Sequence, residues 1–432
     1  MKLSMGPERV IVQGIRPEEQ LWGGYQFPRP YDLGDRLVVA VHVASDDIKS
    51  FGQDNRWFES RDRGVSWQEI GPEVSVECGL RLPNGDRIYF PMENGVSLRG
   101  KYRITEQKYY TPGYDFTARA PEGTLPIPDG ITYWLEGTMI RAYNADRLPE
   151  SLSKKQWLLK RIPAGQTQPV TEYAQVDWPY LTRVVYTGPG YEDVLKPIFP
   201  RGTPKLGPDG AVWVSAFSGE GHLDPENGQY SPYYSAELFR SEDGGRTFSR
   251  RAHMEYPADG HAYPYQSGGF SDSDFAWLPD GSMIWFFRST WYAYTGCEWG
   301  PMYVARSTDG GFTWTKPEKF ADVGILPRLC PLPGGPLLLC YARPGMYVAA
   351  CDDPHGIRWS EPLEAVTPGD RSGLHNLPIA QPTFHEWVGA CNNPELLALD
   401  ARTALLFYSD FYYPAPDGGV RKTILCREIR VD

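Results

Sequence analysis

Two short phrases recur along this chain, and together they leave room for little except short strands joined by tight turns. The first is Ser-x-Asp-x-Gly-x-x-aromatic. It reads S-R-D-R-G-V-S-W at 60–67, S-E-D-G-G-R-T-F at 241–248 and S-T-D-G-G-F-T-W at 307–314, with a worn copy, D-P-H-G-I-R-W, at 353–359. The second is a turn carrying Gly and Asp or Asn, followed by an apolar, β-rich run. Its copies are L-G-D-R-L-V-V-A-V at 33–41, P-N-G-D-R-I-Y-F at 83–90 and P-D-G-A-V-W-V-S-A-F at 208–217. P-D-G-S-M-I-W-F-F at 279–287, P-G-G-P-L-L-L-C-Y at 333–341 and L-D-A-R-T-A-L-L-F-Y at 399–408 complete the set. A short apolar segment precedes each, as in a hairpin. Self-similarity on this scale marks a repeat architecture.

One unit then has four strands. The first runs into the Gly turn and the second runs out of it. The third runs into the Ser-x-Asp turn, and the fourth leaves from its Trp or Phe. Four-stranded antiparallel units repeated radially make a β-propeller, which hides most sheet edges by repetition. The expectation is an all-β, six-bladed propeller forming a single domain over 1–432, with seven blades as the alternative. The interval of about 92–207 would hold a long insertion or a disguised blade. The 45 Gly and 40 Pro suit a chain of many turns. S-L-S-K-K-Q-W-L-L-K at 151–160 is the best helical exception. The N-terminal E-R-V-I-V and the C-terminal K-T-I-L-C-R-E-I-R-V are expected to pair and close the ring.

The Ser-x-Asp turn has a structural explanation. Asp and Ser side chains bond nearby backbone N–H groups, Gly supplies positive φ, and the aromatic plugs the space between blades. Its carboxylates face their own turn and make poor catalytic candidates.

Charge and composition remove other classes. A net charge of −11 argues against a general nucleic-acid or anionic-membrane surface, though not against a local basic pocket. Seven scattered cysteines without a C-x-x-C pair read as free, buried thiols. The opening M-K-L-S-M-G-P-E-R-V has no apolar signal region and no stretch is long enough to span a bilayer, so a cytoplasmic chain is expected. The seven histidines form no H-E-x-x-H, and no EF-hand loop or phosphate-cradling glycine loop is present. No metal or cofactor is expected.

With these phrases in place, the chain resembles the sialidase (neuraminidase) superfamily, whose Asp box is Ser-x-Asp-x-Gly-x-x-Trp. The resemblance implies that the boxes lie on the face away from the active site, which sits where first strands begin and second strands end. Starts of first strands then give Y-Q-F-P-R-P at 25–30, V-E-C at 76–78, Arg201, Asp272, Arg328, and Asn393 with Glu395. Ends of second strands give His42 with Asp46 and Asp47, Glu220 with His222, Arg288, Arg343 and Asp410. A ring of arginine and carboxylate is aimed at one axis.

The resemblance also implies roles. Asp47 or Asp46 fits the acid/base Asp on the loop after the first second strand, with Asp54 a third choice. Asp272 takes the place of the nucleophile's acidic partner. Arg201, Arg288, Arg328 and Arg343 are candidates for the arginines that clamp a carboxylate, a task suited to a guanidinium fork. Gln26, Glu220 and Asn393 join them as substrate-binding candidates. Two positions depart from the family. The expected Phe/Tyr-Arg-Ile-Pro reads Tyr25-Gln26-Phe27-Pro28, with Arg29 displaced, and Asn393 stands where the nucleophilic tyrosine belongs. Tyr341, Tyr347 and Tyr408 are not aligned to replace it. Loss of the phenol would leave room for water, with Asp47 as acid and Asp272 or Glu395 as base. Such inversion needs carboxyls about 6.5–9.5 Å apart, against about 5–5.5 Å for retention by a carboxylate nucleophile.

The expected function is glycoside hydrolysis of a terminal, acidic sugar, with carbohydrate as the partner. Two alternatives stand beside it. His42 could abstract a proton beside an arginine-neutralised uronate, as in propeller lyases. A non-catalytic carbohydrate binder could instead use the aromatic loops W-Y-A-Y-T at 291–295, F-Y-Y-P at 411–414 and Y-S-P-Y-Y at 230–234.

Overall fold

The computed structural model describes residues 1–19, 23–45, 50, 52–53, 55–104, 124–125, 131–135, 138–179, 181–187, 193–218, 222–223, 230–231, 233–256, 268–291, 301–322, 324–342, 345–367 and 393–432. The described chain is almost entirely strand and turn. Its one α-helix is the single turn Glu150–Ser153, and no described helix is long and apolar enough to cross a membrane. The helical reading of 151–160 therefore holds only for its first residues. Gln156–Ile162 is a strand because Trp157, Leu159 and Arg161 are buried in alternation, the period of a pleat.

The strands fall into successive antiparallel groups. The first contains Gln26–Asp32, Leu37–His42, Arg56–Ser60 and Gln68–Ile70. The second contains Leu80–Arg81, Arg87–Tyr89, Gln156–Ile162 and Val170–Asp177. The third contains Lys205–Leu206, Val212–Phe217, Tyr233–Ser241 and Thr247–Glu255. The fourth contains Gly268–Trp277, Met283–Trp291, Met302–Ser307 and Glu318–Ala321. The fifth contains Ile325–Pro331, Leu337–Ala342, Met346–Cys351 and Leu363–Val366. The last contains Glu395–Ala398, Thr403–Pro414 and Val420–Val431, completed by the N-terminal strands Leu3–Met5 and Arg9–Gln13, both antiparallel to Val420–Val431. Short parallel pairings, 175–177 with 247–249 and 233–234 with 268–269, join the second, third and fourth groups into one ladder.

The interval 92–207 does two things. It supplies Gln156–Ile162 and Val170–Asp177 to the second group, and it builds a separate five-stranded sheet. That sheet contains Ile131–Leu135, Thr138–Asn144, Thr182–Thr187, Val194–Leu195 and Val96–Ser97.

The apolar core is divided into layers between consecutive groups. Val212 and Val214 pack with Trp157 of the second group, while Trp213 packs toward Phe275 and Trp285 of the fourth. Ile284 and Phe286 turn the other way, onto Leu337 and Leu339 of the fifth. Leu338 and Cys340 meet Leu406 and Leu425 of the last group. Leu405 and Phe407 meet Val39, Val41 and Phe58 of the first. On the other side of the first group, Val38, Ala40 and Trp57 cover Val74 and Cys78. The packing thus runs from the second group through the third, fourth, fifth and last to the first. Second strands such as Leu337–Ala342 are buried on both faces, which is why they read as unbroken apolar runs. Burying one such large side chain contributes about 1.5–3 kcal/mol. Cys78, Cys330, Cys340, Cys351 and Cys426 are free and buried in these layers.

Both recurring phrases are turns at one end of the strands. The Gly phrases close first-to-second hairpins, through bonds such as Gly85 N to Leu82 O and Gly281 N to Leu278 O, both 2.9 Å. In the Ser-x-Asp turn, Ser307 Oγ donates to Asp309 Oδ1 at 2.8 Å and accepts from Gly311 N at 2.9 Å. Phe312 N and Thr313 N donate to the same carboxyl, and Thr313 Oγ1 to its second oxygen at 2.6 Å. Ser60–Asp62–Ser66 and Ser241–Asp243–Thr247 repeat the pattern atom for atom. The worn turn at 353–359 lacks the Ser but keeps the anchoring indole: Trp359 Nε1 donates to Gly356 O at 3.0 Å, as Trp314 Nε1 does to Gly311 O at 3.1 Å.

Candidate functional site

At the opposite end of the strands, one device recurs in three groups. The first strand carries one extra residue against its partner between Gln26 and Arg29, between Phe270 and Ser273, and between Ile325 and Arg328. The residue just before each bulge, Tyr25, Gly269 or Gly324, has positive φ of 52°, 108° or 155°. Phe27 and Leu326, one residue into their bulges, also have positive φ, 50° and 48°. Left-handed backbone at non-glycine residues is costly and concentrates where side chains must be re-aimed. Asp272 lies inside its bulge, and Arg29 and Arg328 are the first residues paired again after theirs.

Asp272 and Arg328 meet in one charged network. Arg288 Nη1, from the end of a second strand, donates to Asp272 Oδ2 at 2.7 Å. Arg328 Nε donates to Glu395 Oε2 at 3.0 Å, linking the fifth group to the last. Lys205 Nζ reaches Asp274 at 2.8 Å and the Phe275 carbonyl at 2.6 Å, while Leu329 N donates to Asp274 Oδ2 at 2.8 Å. Burial would lift the Asp272 carboxyl, but Arg288, with Arg328 and Arg201 behind it, more than cancels that and holds it below 3.8. For Glu395 the balance is reversed. Burial lifts it above 4.5, Arg328 opposes, and the negative Asp274 adds to the rise. Burial lowers Arg328, but Glu395, Asp274 and Asp272 outweigh it and hold the guanidinium protonated. Two carboxylates in one network are thereby pushed to opposite sides of their ordinary range.

Arg201 stands beside this network on different terms. Its guanidinium carbon lies 4.3 Å from the centre of the Phe199 ring and 4.8 Å from that of Phe217. Arg29 is exposed beside Tyr31. Burial pushes the Tyr31 phenol up to about 12, with Arg29 opposing and Glu395 among the groups adding to the rise.

Gln26 and Asn393, at the two positions that depart from the resembled family, are turned on each other. Asn393 Nδ2 donates to Gln26 Oε1 at 3.2 Å, and both side chains are buried. An amide pair joins the first and last groups there. His42 lies opposite Gln26 in the ladder, with Nε2 3.4 Å from the Ser45 carbonyl and its ring against Phe27. Asp410 is buried and accepts from Tyr412 N. Tyr341 and Tyr347 stack on each other, and Tyr408 donates to Glu8 Oε1 at 2.6 Å. Of the aromatic loops, Phe411 is buried under the Lys422 ammonium and Tyr234 is buried against Phe217, so neither ring is open to a sugar. Asp46, Asp47, Asp54, Glu220 and Arg343 lie outside the described residues, as does the side chain of His222.

The structure thus brings Asp272, Arg288, Arg328, Glu395 and Arg201 together. Lys205 and Asp274 were missed from the sequence. Asp274 had a usable signal: in S-D-S-D at 271–274 the two carboxylates alternate along one strand. Lys205 had none, since its partner lies on another group. Among the described residues no cluster of three His, Cys, Asp or Glu could hold a metal.

No family model matches the chain, and no curated protein matches it. Solved structures similar to it include a protein of unknown function from Dyadobacter fermentans, at 17% identity over 100% of this chain and 99% of that one, with a TM-score of 0.47. Another is the GH93 α-L-arabinofuranosidase of Fusarium graminearum with arabinobiose, at 12% identity over 99% and 98%, TM-score 0.45. A third is the NanB sialidase of Streptococcus pneumoniae, at 11% identity over 98% of this chain and 71% of that one, TM-score 0.44.

Proposed function

We propose that the chain is a glycoside hydrolase that removes a sugar from the end of an oligo- or polysaccharide, built as a six-bladed β-propeller over 1–432. The consecutive packing of the groups and the repeated turns support the blade reading, with the separate sheet of 92–207 as an insertion. One observation carries the chemical reading: Asp272 and Glu395 share an arginine network, yet Arg288 holds the first below its ordinary range while burial lifts the second above it. Carboxyls pushed apart in this way divide the roles of acid and base. Glu395 gives its proton to the glycosidic oxygen as the bond to the anomeric carbon breaks. Asp272 takes a proton from the water that bonds to that carbon, which inverts the configuration. Solvent then returns each carboxyl to its starting state. Asp47, which follows Leu37–His42 in the sequence, is the second candidate for the acid.

The test is a panel of aryl glycosides and acidic oligosaccharides read by NMR for product and anomeric configuration. On the substrate so found, Asp272→Asn and Glu395→Gln should each lower kcat by about 10²-fold or more. Full turnover in both variants would overturn the reading. An unsaturated, ultraviolet-absorbing product would replace it with elimination, for which His42 is the candidate base.

A further inference from the structure

Lys205 and Asp274 form an ion pair that the proposed chemistry does not consume. Lys205 Nζ lies 2.8 Å from each oxygen of the Asp274 carboxyl. The pair then grips Leu329 by both of its backbone groups. Leu329 N donates to Asp274 Oδ2 at 2.8 Å, and Lys205 Nζ donates to Leu329 O at 3.4 Å. Ile325–Pro331 is the edge strand of its sheet, so the pair supplies partners that a neighbouring strand would otherwise give. Lys205 also donates to the Phe275 carbonyl at 2.6 Å and lies 5.2 Å from the centre of the Phe275 ring. The third, fourth and fifth groups are thus tied at one point. Leu329 follows Arg328 directly, so this clasp fixes the backbone from which the Arg328 fork reaches Glu395.

Asp274 is buried and Lys205 half-buried, so their charges are weakly screened. Both act on Glu395, in opposite senses: Asp274 favours its neutral form and Lys205 its charged form. The other titratable groups that face Glu395 include Arg328, Cys330 and Cys340 from the fifth group and Tyr31 from the first. Burial pushes Cys330 and Tyr31 up to about 12 and Cys340 well above its ordinary value, so these three are neutral at neutral pH. Arg328 keeps its charge and spends it on Glu395 directly. Beyond that contact, the charge that Glu395 meets is the balance of Lys205 against Asp274.

We propose that Lys205 and Asp274 are a positioning pair for the acid: they lock the strand that carries Arg328, and their opposed charges set the field in which Glu395 holds or releases its proton. The inference rests on the reading of Glu395 as the acid. It extends the site to two residues of the third and fourth groups, neither of which needs to touch a sugar.

The test follows the Glu395 carboxyl by 13C NMR in the full chain carrying carboxyl-labelled glutamate, its resonance identified by its loss in Glu395→Gln. Asp274→Asn keeps an acceptor for Leu329 N but removes the negative charge, so the Glu395 midpoint should fall by about half a pH unit or more. Lys205→Met removes the positive charge and should raise the midpoint by a similar amount. The double variant, neutral at both places, should return it toward the wild-type value. A pair that only held the strand would loosen the site in either variant and move both midpoints the same way. That result, or no movement in either variant, overturns the proposal. If Lys205→Met fails to fold, as shown by circular dichroism, the double variant decides: a midpoint above that of Asp274→Asn supports the proposal, and one at or below it overturns it. The titration needs no turnover, so the two readings fail separately. Midpoints that move as expected in a chain that cleaves nothing overturn only the hydrolase. A chain that cleaves glycosides through Glu395, with both midpoints unmoved, overturns only the role of the pair.

Discussion

Ionisation at single residues is set by neighbours from other strands, and this protein shows both signs of it. Asp272 is held below 3.8, so its contribution to stability is present above that value and is lost as pH falls through its lowered pKa. Glu395 is lifted above 4.5, so its contribution is present below 4.5 and is lost as pH rises through its raised pKa. His253 gives the clearest window. Its ring sits 2.8 Å from Glu237 Oε1 and 3.1 Å from Glu255 Oε1. Burial lowers it, but Glu237 outweighs that and brings it from 6.5 to about 9. Its stabilisation should be whole below 6.5 and disappear as pH rises through about 9. An imidazole titration followed by NMR should centre near 9, and urea unfolding of His253→Gln should lose that slope. A midpoint near 6.5 would contradict the pairing seen here.

Among the elements, the turn that repeats most faithfully is a device for ending strands. Hydroxyls and backbone N–H groups converge on Asp62 and Asp309, and the hydrogen bonds from Ser66 and Thr313 lead in holding both near 2. These turns should therefore keep their strength well into acid and lose it only as pH falls from 3.8 toward 2. Asp243→Ala removes the same anchor from the third group. It should cost about 1–2 kcal/mol, read from the urea midpoint, because several donors lose their acceptor together. An unchanged midpoint would mean that the flanking strands hold the turn without it.

The turns were legible in the sequence because Gly, Asp and Ser at fixed offsets are local chemistry. The bulges were not. One extra residue at 270–273 or 325–328 leaves the apolar pattern intact, yet it shifts which side chains pair across the hairpin. That is why Asp272 could be placed while Asp274, two residues on, was passed over. The helical reading of 151–160 failed for a related reason. Trp157 and Leu159 suit either period, and only pairing with Arg87–Tyr89 and Val170–Asp177 makes them a strand.

On the scale of the whole molecule, turns lie at one end of the strands and the charged network at the other. The sequence announced that division through its two repeated phrases. It did not announce which charges meet. Arg328 and Glu395 lie 67 residues apart, and Lys205 and Asp274 lie 69 apart, so their pairing follows from how the strand groups pack and from no local signal. The two positions that depart from the resembled family, Gln26 and Asn393, bond to each other across 367 residues. They form a neutral tie between the first and last groups.

The pH dependence of kcat/KM on the substrate found in the glycoside panel tests the assignment of acid and base most directly. The profile should be a bell, with an acidic limb set by Asp272 and an alkaline limb set by Glu395. Asp272→Asn should remove the acidic limb from whatever activity remains, and Glu395→Gln the alkaline limb. A bell that keeps both limbs in both variants would rule these two carboxyls out as the acid and the base.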